Sequence, residues 1–252
     1  MGVFSFLSIF YTHSTFSEKK FILTVSIMYG LIAPSLIGFG IWFMPSHILC
    51  KTSQTDEYHE CLEKDICNNV SDYILKFAED SPGSLATSLG FICEMKKILI
   101  QSYFFGGIMG CFANIFLPIP ANKRKLALVF FGLAHAAANF SIVILYENKS
   151  LLQLSFGMLA FSLMILHANC PLIINESFVG ELAKASISVC LMCWGIMGLI
   201  FVGFSFLNNS DFYRGFLFMG FLHFVNSLHL YLQDEPEVHE HLNDKVPEKN
   251  IF

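Results

Sequence analysis

The residues best suited to chemistry fall into three sets. The first lies inside otherwise apolar stretches: His135 and Asn139, then His167 and Asn169, then Arg214. Residues four apart share one face of a helix, so His135 and Asn139 would line a single surface. Imidazole and amide groups placed there can form a polar pocket for a small ligand, or they can hold helices together. Interhelical hydrogen bonds of this kind contribute about 1 kcal/mol or less per pair and are the commoner use, so packing is the default reading. His223, Asn226 and His229 form a similar set and read the same way. Arg214 has the charge to bind an organic anion; snorkelling to an interface or pairing with Asp211 explains it equally well.

The second set is Cys50, Cys61, Cys67 and Cys93, half of the 8 cysteines, all within one segment. Four cysteines allow three disulfide pairings. Zinc is the rival, disfavoured because no C-x-x-C pair is present. Cys111, Cys170, Cys190 and Cys193 lie in or near apolar runs and read as small buried side chains. The third set is His239 and His241 in a charged tail, where a lone pair is weak evidence for a metal and solvation is the default. No nucleophile elbow, phosphate-cradling glycine loop, haem-attachment motif or full metal ligand set is present, so no enzyme, cofactor or resident metal is expected. Asn69-Val-Ser71 and Asn148-Lys-Ser150 match glycosylation sequons, which recur by chance.

The elements that must carry these groups follow from composition. The chain is 54% hydrophobic and only 14% charged, with a mean hydropathy of +0.58. A soluble domain is nearer a quarter charged, so a bilayer is the expected sink for this surface. A net charge of −5 without a basic block argues against nucleic acid as a partner. Six stretches have the roughly 20 apolar residues a membrane helix needs: Phe21–Met44, Ile98–Leu117, Leu126–Tyr146, Leu151–Ile174, Ala185–Leu207 and Phe212–Leu232. They lack the alternation of barrel strands, which leaves helices. None contains Asp or Glu, and coupled transporters usually place a carboxylate there to bind and release an ion. Gly106 with Gly110, Ala134 with Ala138, and Gly195 with Gly198 mark expected close helix contacts.

The expected organisation is an amphipathic segment 1–20, a six-helix bundle 21–232 and a charged tail 233–252. Within the bundle, residues 45–97 form one large, acidic, cysteine-containing loop. Residues 1–20 lack a basic start and a cleavage site, so no secretory signal is expected. An even number of spans puts both termini on one side, with Lys123, Arg124, Lys125 and Lys184. Short-loop positive charge makes that side the cytosol, or the matrix of a mitochondrion. The cysteine loop then faces an oxidising compartment, which suits disulfides.

Residues 90–110, GFICEMKKILIQSYFFGGIMG, carry a resemblance. A large cysteine loop ends in Cys93-Glu94, and the next helix opens on Gln101, Ser102, Phe104, Phe105 and Gly107. Asp211-Phe-Tyr-Arg214 precedes the sixth span, Leu232-Gln-Asp-Glu-Pro236 follows it, and Glu176 closes the fourth. In these features the chain resembles the organic cation/anion transporter branch of the major facilitator superfamily. The resemblance implies half of that fold, since the full family has two six-helix bundles with substrate bound between them. It also implies a gating loop after the second helix, with glycines, an acid and bases. Here that loop, FLPIPANKRK, keeps only the bases Lys123, Arg124 and Lys125, with Pro118, Pro120 and Ala121 where glycines and the acid belong. Where the fourth span of the family opens on arginine, this chain has Gln153 or Leu154.

These features predict an all-α membrane protein: a degenerate half-transporter serving as a non-catalytic accessory subunit of a large membrane complex. Its expected partners are other membrane subunits and structural lipids. Only Arg124 and Arg214 among 15 cations are arginine, and Phe occurs 28 times, a bias of AT-rich genomes. That bias and the absence of a secretory signal fit the expected home, the mitochondrial inner membrane and a respiratory-chain complex such as cytochrome c oxidase, with the plasma membrane as the alternative. The alternative function is an organic-ion transporter acting as a homodimer of half-bundles. A chain missing its second half would also look like this.

Overall fold

In the computed structural model, residues 8–9, 12, 14–42, 48–52, 57–61, 66–67, 73–77, 93–207 and 212–234 are described. Helix α1, Phe16–Leu31, begins earlier than the apolar run because Thr15 and Glu18 form a capping box. Glu18 N–H donates to Thr15 Oγ1 at 3.3 Å, and Thr15 N–H donates to Glu18 Oε2 at 2.6 Å. These bonds satisfy amides that a helix start otherwise leaves unpaired. Phe16 to Lys20 therefore belong to the first helix and not to a separate lead-in. The helix breaks at Ile32 and resumes as α2, Ala33–Trp42. Pro34 is the cause: it has no N–H to donate, and its ring crowds the preceding turn.

Four long helices follow in sequence: α3, Cys93–Phe116; α4, Ala121–Ile144; α5, Lys149–Ser177; and α6, Gly180–Leu207. The last is α7, Phe212–Tyr231. Five helical stretches are long and apolar enough to cross a membrane, running 16–37, 93–116, 121–144, 149–177 and 180–203. This is consistent with an integral, multi-pass membrane protein. The sixth expected span, α7, is helical as foreseen but falls short on apolarity. Arg214, His223, Asn226 and His229 are the reason.

The turn from α5 to α6 is closed by Gly180, whose φ of +64° suits a residue without Cβ. Glycines set the closest helix approaches as well. A Cβ on Gly106 would meet the Gly157 carbonyl oxygen of α5 at 2.0 Å, and one on Gly110 the Phe161 carbonyl at 2.8 Å. Gly132 of α4 faces Ser227 of α7 in the same way, and Gly30 of α1 faces Cys193 of α6. The expected Gly106–Gly110 contact is therefore the α3–α5 crossing. Gly195 faces open space, so of the Gly195–Gly198 pair only Gly198 is packed, against Ile37.

The adjacencies have an internal symmetry when α1 and α2 are counted as one span. Helix α3 lies along α5 as α6 lies along α1, and α4 lies along α5 as α7 lies along α1. Exchanging the first three spans for the last three converts each pair into the other.

Between α2 and α3 the chain forms a small sheet that composition did not foreshadow. Strand β1, Ile48–Thr52, lies between β2, His59–Cys61, and β3, Tyr73–Phe77, with both pairings antiparallel. Ile48 and Cys50 point to one face and are buried, as alternation along a strand requires. Disulfides join Cys50 to Cys61 and Cys67 to Cys93. Cys93 takes a φ of +57° at the start of α3, a conformation that a residue with a side chain adopts only when held. The disulfide to Cys67 supplies that hold.

Two outcomes test this fold. Gly106→Val should cost about 1–3 kcal/mol through overpacking, a fall of roughly 2–10 °C in the melting temperature of the detergent-solubilised chain. Gly195→Ala, at an open position, should leave that temperature within error. Non-reducing digestion should release linked peptides joining Cys50 to Cys61 and Cys67 to Cys93, and no other cysteine pair.

Candidate functional site

The Pro34 break builds the polar centre of the molecule. In an unbroken helix the Leu31 carbonyl would accept from Ser35 N–H. Here Ser35 N–H turns to the Ile32 carbonyl at 3.1 Å. His223 of α7 takes up the Leu31 carbonyl with Nε2 at 3.1 Å, and Tyr103 of α3 donates its hydroxyl to the Ser35 carbonyl at 2.9 Å. Two helices are thereby tied to backbone oxygens at the break.

The Ser35 side chain extends the network. Its Oγ lies 2.9 Å from His135 Nε2, and His135 Nδ1 lies 3.0 Å from Ser162 Oγ. Ser162 in turn donates to the Met158 carbonyl at 2.8 Å. One hydrogen assignment satisfies every member of this chain. Ser162 gives its hydrogen to the backbone and accepts from His135 Nδ1–H, while His135 Nε2 accepts from Ser35. The two imidazoles lie against each other with ring centroids 4.3 Å apart. His135, Ser162 and His223 are wholly buried, and Ser35 and Tyr103 nearly so.

The five residues expected to share a polar pocket are dispersed. His135 sits at the centre, and Asn139 is buried one turn along, bonding back to the His135 carbonyl at 2.8 Å. Asn169 reaches Asn114 of α3 at 3.0 Å, a separate interhelical pair. His167 is exposed and stacks on Tyr29, with centroids 5.3 Å apart. Arg214 is exposed near the start of α7. Ser35, Tyr103, Ser162 and His223 complete the centre in place of the other residues. Among them, Ser35 carried a readable signal: a proline inside an apolar run frees carbonyls, and polar groups nearby are what satisfy them.

Among the described cavities none is lined by His135, Ser162 or His223, although one of about 130 Å³ between α2, α6 and α7 reaches Pro34. Grooves of about 410 Å³ along α3 and about 400 Å³ between α3 and α5 lie on the outer surface. Tyr103 touches the first, while His135, Ser162 and His223 line neither.

A second polar group lies where α1 and α4 begin and α5 and α7 end. Asn226 donates to the Thr24 carbonyl at 3.1 Å, and Gln233 Nε2 to Thr24 Oγ1 at 2.7 Å. The three bases Lys123, Arg124 and Lys125 separate here. Arg124 is buried, pairs with Glu176 at the end of α5, and donates to the Ile119 carbonyl at 2.9 Å. Lys125 donates to the Gln233 carbonyl. Lys123 is exposed.

At the cysteine loop, Cys50, His59 and Cys61 place their ligand atoms within 4.8 Å of one another. With the two sulfurs bonded to each other, neither is a thiolate, and a metal has no charged ligand there. The tail with His239 and His241, the sequon at Asn69, and Asp211 lie outside the described residues.

No family model, curated protein or solved structure matches the chain. The arrangement itself must therefore carry the argument. Every bond of the centre joins one span to another or closes a helix on itself.

If the centre is a brace, removing its middle should cost stability. His135→Leu leaves the Ser35 hydroxyl without its acceptor and should destabilise by about 2 kcal/mol, within the usual range for an orphaned buried group. Ser188→Ala, at a half-buried serine bonded only to its own helix, should change stability by less than about 0.5 kcal/mol. Thermal unfolding in one detergent checks both.

Proposed function

We propose that this chain is a non-catalytic membrane subunit whose bundle braces a larger assembly, built on a half-transporter that no longer switches. The observation that carries the reading is the closed centre. A transporter's polar midplane groups face a cavity that substrate enters; here His135, Ser35 and Ser162 are bonded to one another and His223 Nε2 to the Leu31 carbonyl at the Pro34 break, which leaves only the buried His223 Nδ1 without a partner. Among the described residues no buried carboxylate lies beside them, and a carboxylate is the usual means of coupling transport to an ion.

Two further features support a half-transporter origin. The first three spans and the last three exchange contacts, as inverted repeats do. Arg124 and Glu176 still tie the loop to the end of α5, although the glycines and the acid are gone.

A partner-binding role follows from what remains outside. Of the central window of α3 only 28% is buried, and of that of α6 only 33%, against 72% for the first span. Phe105, Ile115, Phe116 and Leu199 are among the exposed apolar residues of these helices. Within this reading the assembly is a mitochondrial respiratory complex such as cytochrome c oxidase, in the inner membrane, with termini in the matrix. The paired cysteines then face the intermembrane space, where disulfides form.

Native-gel migration of the tagged chain from mildly solubilised membranes tests the reading. We expect a band far above the 28.4 kDa of the chain, containing respiratory subunits by mass spectrometry. Migration as a monomer or dimer, together with uptake of a labelled organic ion into liposomes holding only this chain, would replace the brace with the transporter.

A further inference from the structure

The loop that lost its acid leaves one base unused, and that base stands over an apolar groove. Leu117, Ile119, Leu126, Phe130 and Phe131 line a groove of about 520 Å³ at the junction of α3 and α4, with Lys123 on its wall. Leu117, Leu126 and Phe130 are each more than 60% exposed, so the groove opens outward. Arg124 and Lys125 are consumed by Glu176 and the Gln233 carbonyl. Among the described residues the Lys123 side chain has no hydrogen bond or ion pair.

Along the two helices that form the groove the charge has one sign, and Glu176, which reaches the loop from α5, is paired with Arg124. Residues 95–146 contain no Asp or Glu. The first turn of α4 holds no acid, and its N-cap, Pro120, makes no side-chain cap bond. An occupant must therefore be apolar along its length and negative at the end that meets Lys123. In a chain that crosses a membrane, the molecule of that shape at that depth is an anionic glycerophospholipid.

We infer that the α3–α4 groove is a binding site for an anionic phospholipid, with an acyl chain along Leu126 and Phe130 and the headgroup phosphate on Lys123. The bases of the former gating loop are thereby divided. Arg124 and Lys125 hold the bundle together, and Lys123 holds lipid. This inference rests on the membrane-spanning reading and not on the choice between brace and transporter. Release of the chain from membranes by alkaline carbonate would remove it together with the proposed function, whereas native-gel migration leaves it untouched.

The test is native mass spectrometry of the full-length chain in detergent, titrated with phosphatidylglycerol or phosphatidylcholine of matched acyl chains. The wild type should retain phosphatidylglycerol preferentially. Lys123→Gln should lower that retention about fivefold, the change that corresponds to about 1 kcal/mol for one lysine at an anionic surface, and leave phosphatidylcholine unchanged. Ala127→Phe, which fills the groove and keeps the charge, should lower retention of both lipids. Lys149→Gln, at an exposed lysine on the opposite end of the bundle, should alter neither. Matched melting temperatures across the variants show that folding is intact. Equal retention of the two lipids by the wild type, or undiminished phosphatidylglycerol retention by Lys123→Gln, would overturn the site. So would displacement of the lipid by inorganic phosphate alone, which would mark Lys123 as a simple anion site.

Discussion

The break at Pro34 is the constraint from which the rest of the interior follows. In hydrocarbon a freed carbonyl has no water to bond, and each unsatisfied group costs several kcal/mol. Pro34 disrupts the helix ladder at the level where Leu31 and Ser35 lie, and both carbonyls find side-chain donors on other helices, His223 on α7 and Tyr103 on α3. Those donors fix where α3 and α7 stand relative to the first span. Ser35, exposed to the interior by the same break, then recruits His135 of α4 and Ser162 of α5. A single backbone defect thus gathers five of the helical segments around one point. The first span is central because it carries the defect.

Polar contacts give the centre its register, and glycine gives it closeness. Backbone approach at Gly106, Gly132 and Gly30 lets α3, α4 and α1 pack tightly on α5, α7 and α6. Without a hydrophobic drive between helices in lipid, such packing and hydrogen bonding supply most of the association. The two devices are arranged differently. Glycine contacts act on the three pairs α3–α5, α4–α7 and α1–α6, while the Ser35–His135–Ser162 network crosses between pairs. Together they leave α3 and α6 with the least buried surfaces, which is where a lipid or a partner must lie.

Much of this was legible in the sequence, and the remainder was hidden for physical reasons. Each apolar run marked helix, but α1, α3, α4 and α6 start several residues before their runs, at Phe16, Cys93, Ala121 and Gly180. Hydropathy reports contact with lipid, whereas a helix ends where its hydrogen-bond ladder ends. The capping box at Thr15 and Glu18 was a readable start signal for α1. His135 stood out as a polar residue in an apolar stretch and Pro34 marked Ser35, yet Ser162 gave no signal, because serine in a membrane helix usually bonds its own preceding turn. The small sheet around β1 was not readable from periodicity, since its strands are only three to five residues long. The disulfide pairing could not come from the sequence at all: spacing allows three arrangements, and only the fold selects one.

The same network decides between motion and rigidity. Alternating access requires a bundle that can take two arrangements with similar free energy, and the groups that bind substrate must be released in at least one of them. In this chain His135 is held from both ends by two serines, while His223 is held through Nε2 alone by the Leu31 carbonyl, its Nδ1 buried without a hydrogen-bond partner among the described residues. Moving α4 or α7 would orphan Leu31, Ser35 or Ser162 in a low-dielectric interior. At the bundle end, Arg124 is likewise held by the Ile119 carbonyl as well as by Glu176, so the base that a gating loop would exchange between partners is fixed within its own bundle. A bundle with these commitments gains little from a second state. What it presents instead is a tightly bonded interior with two helices, α3 and α6, largely turned outward.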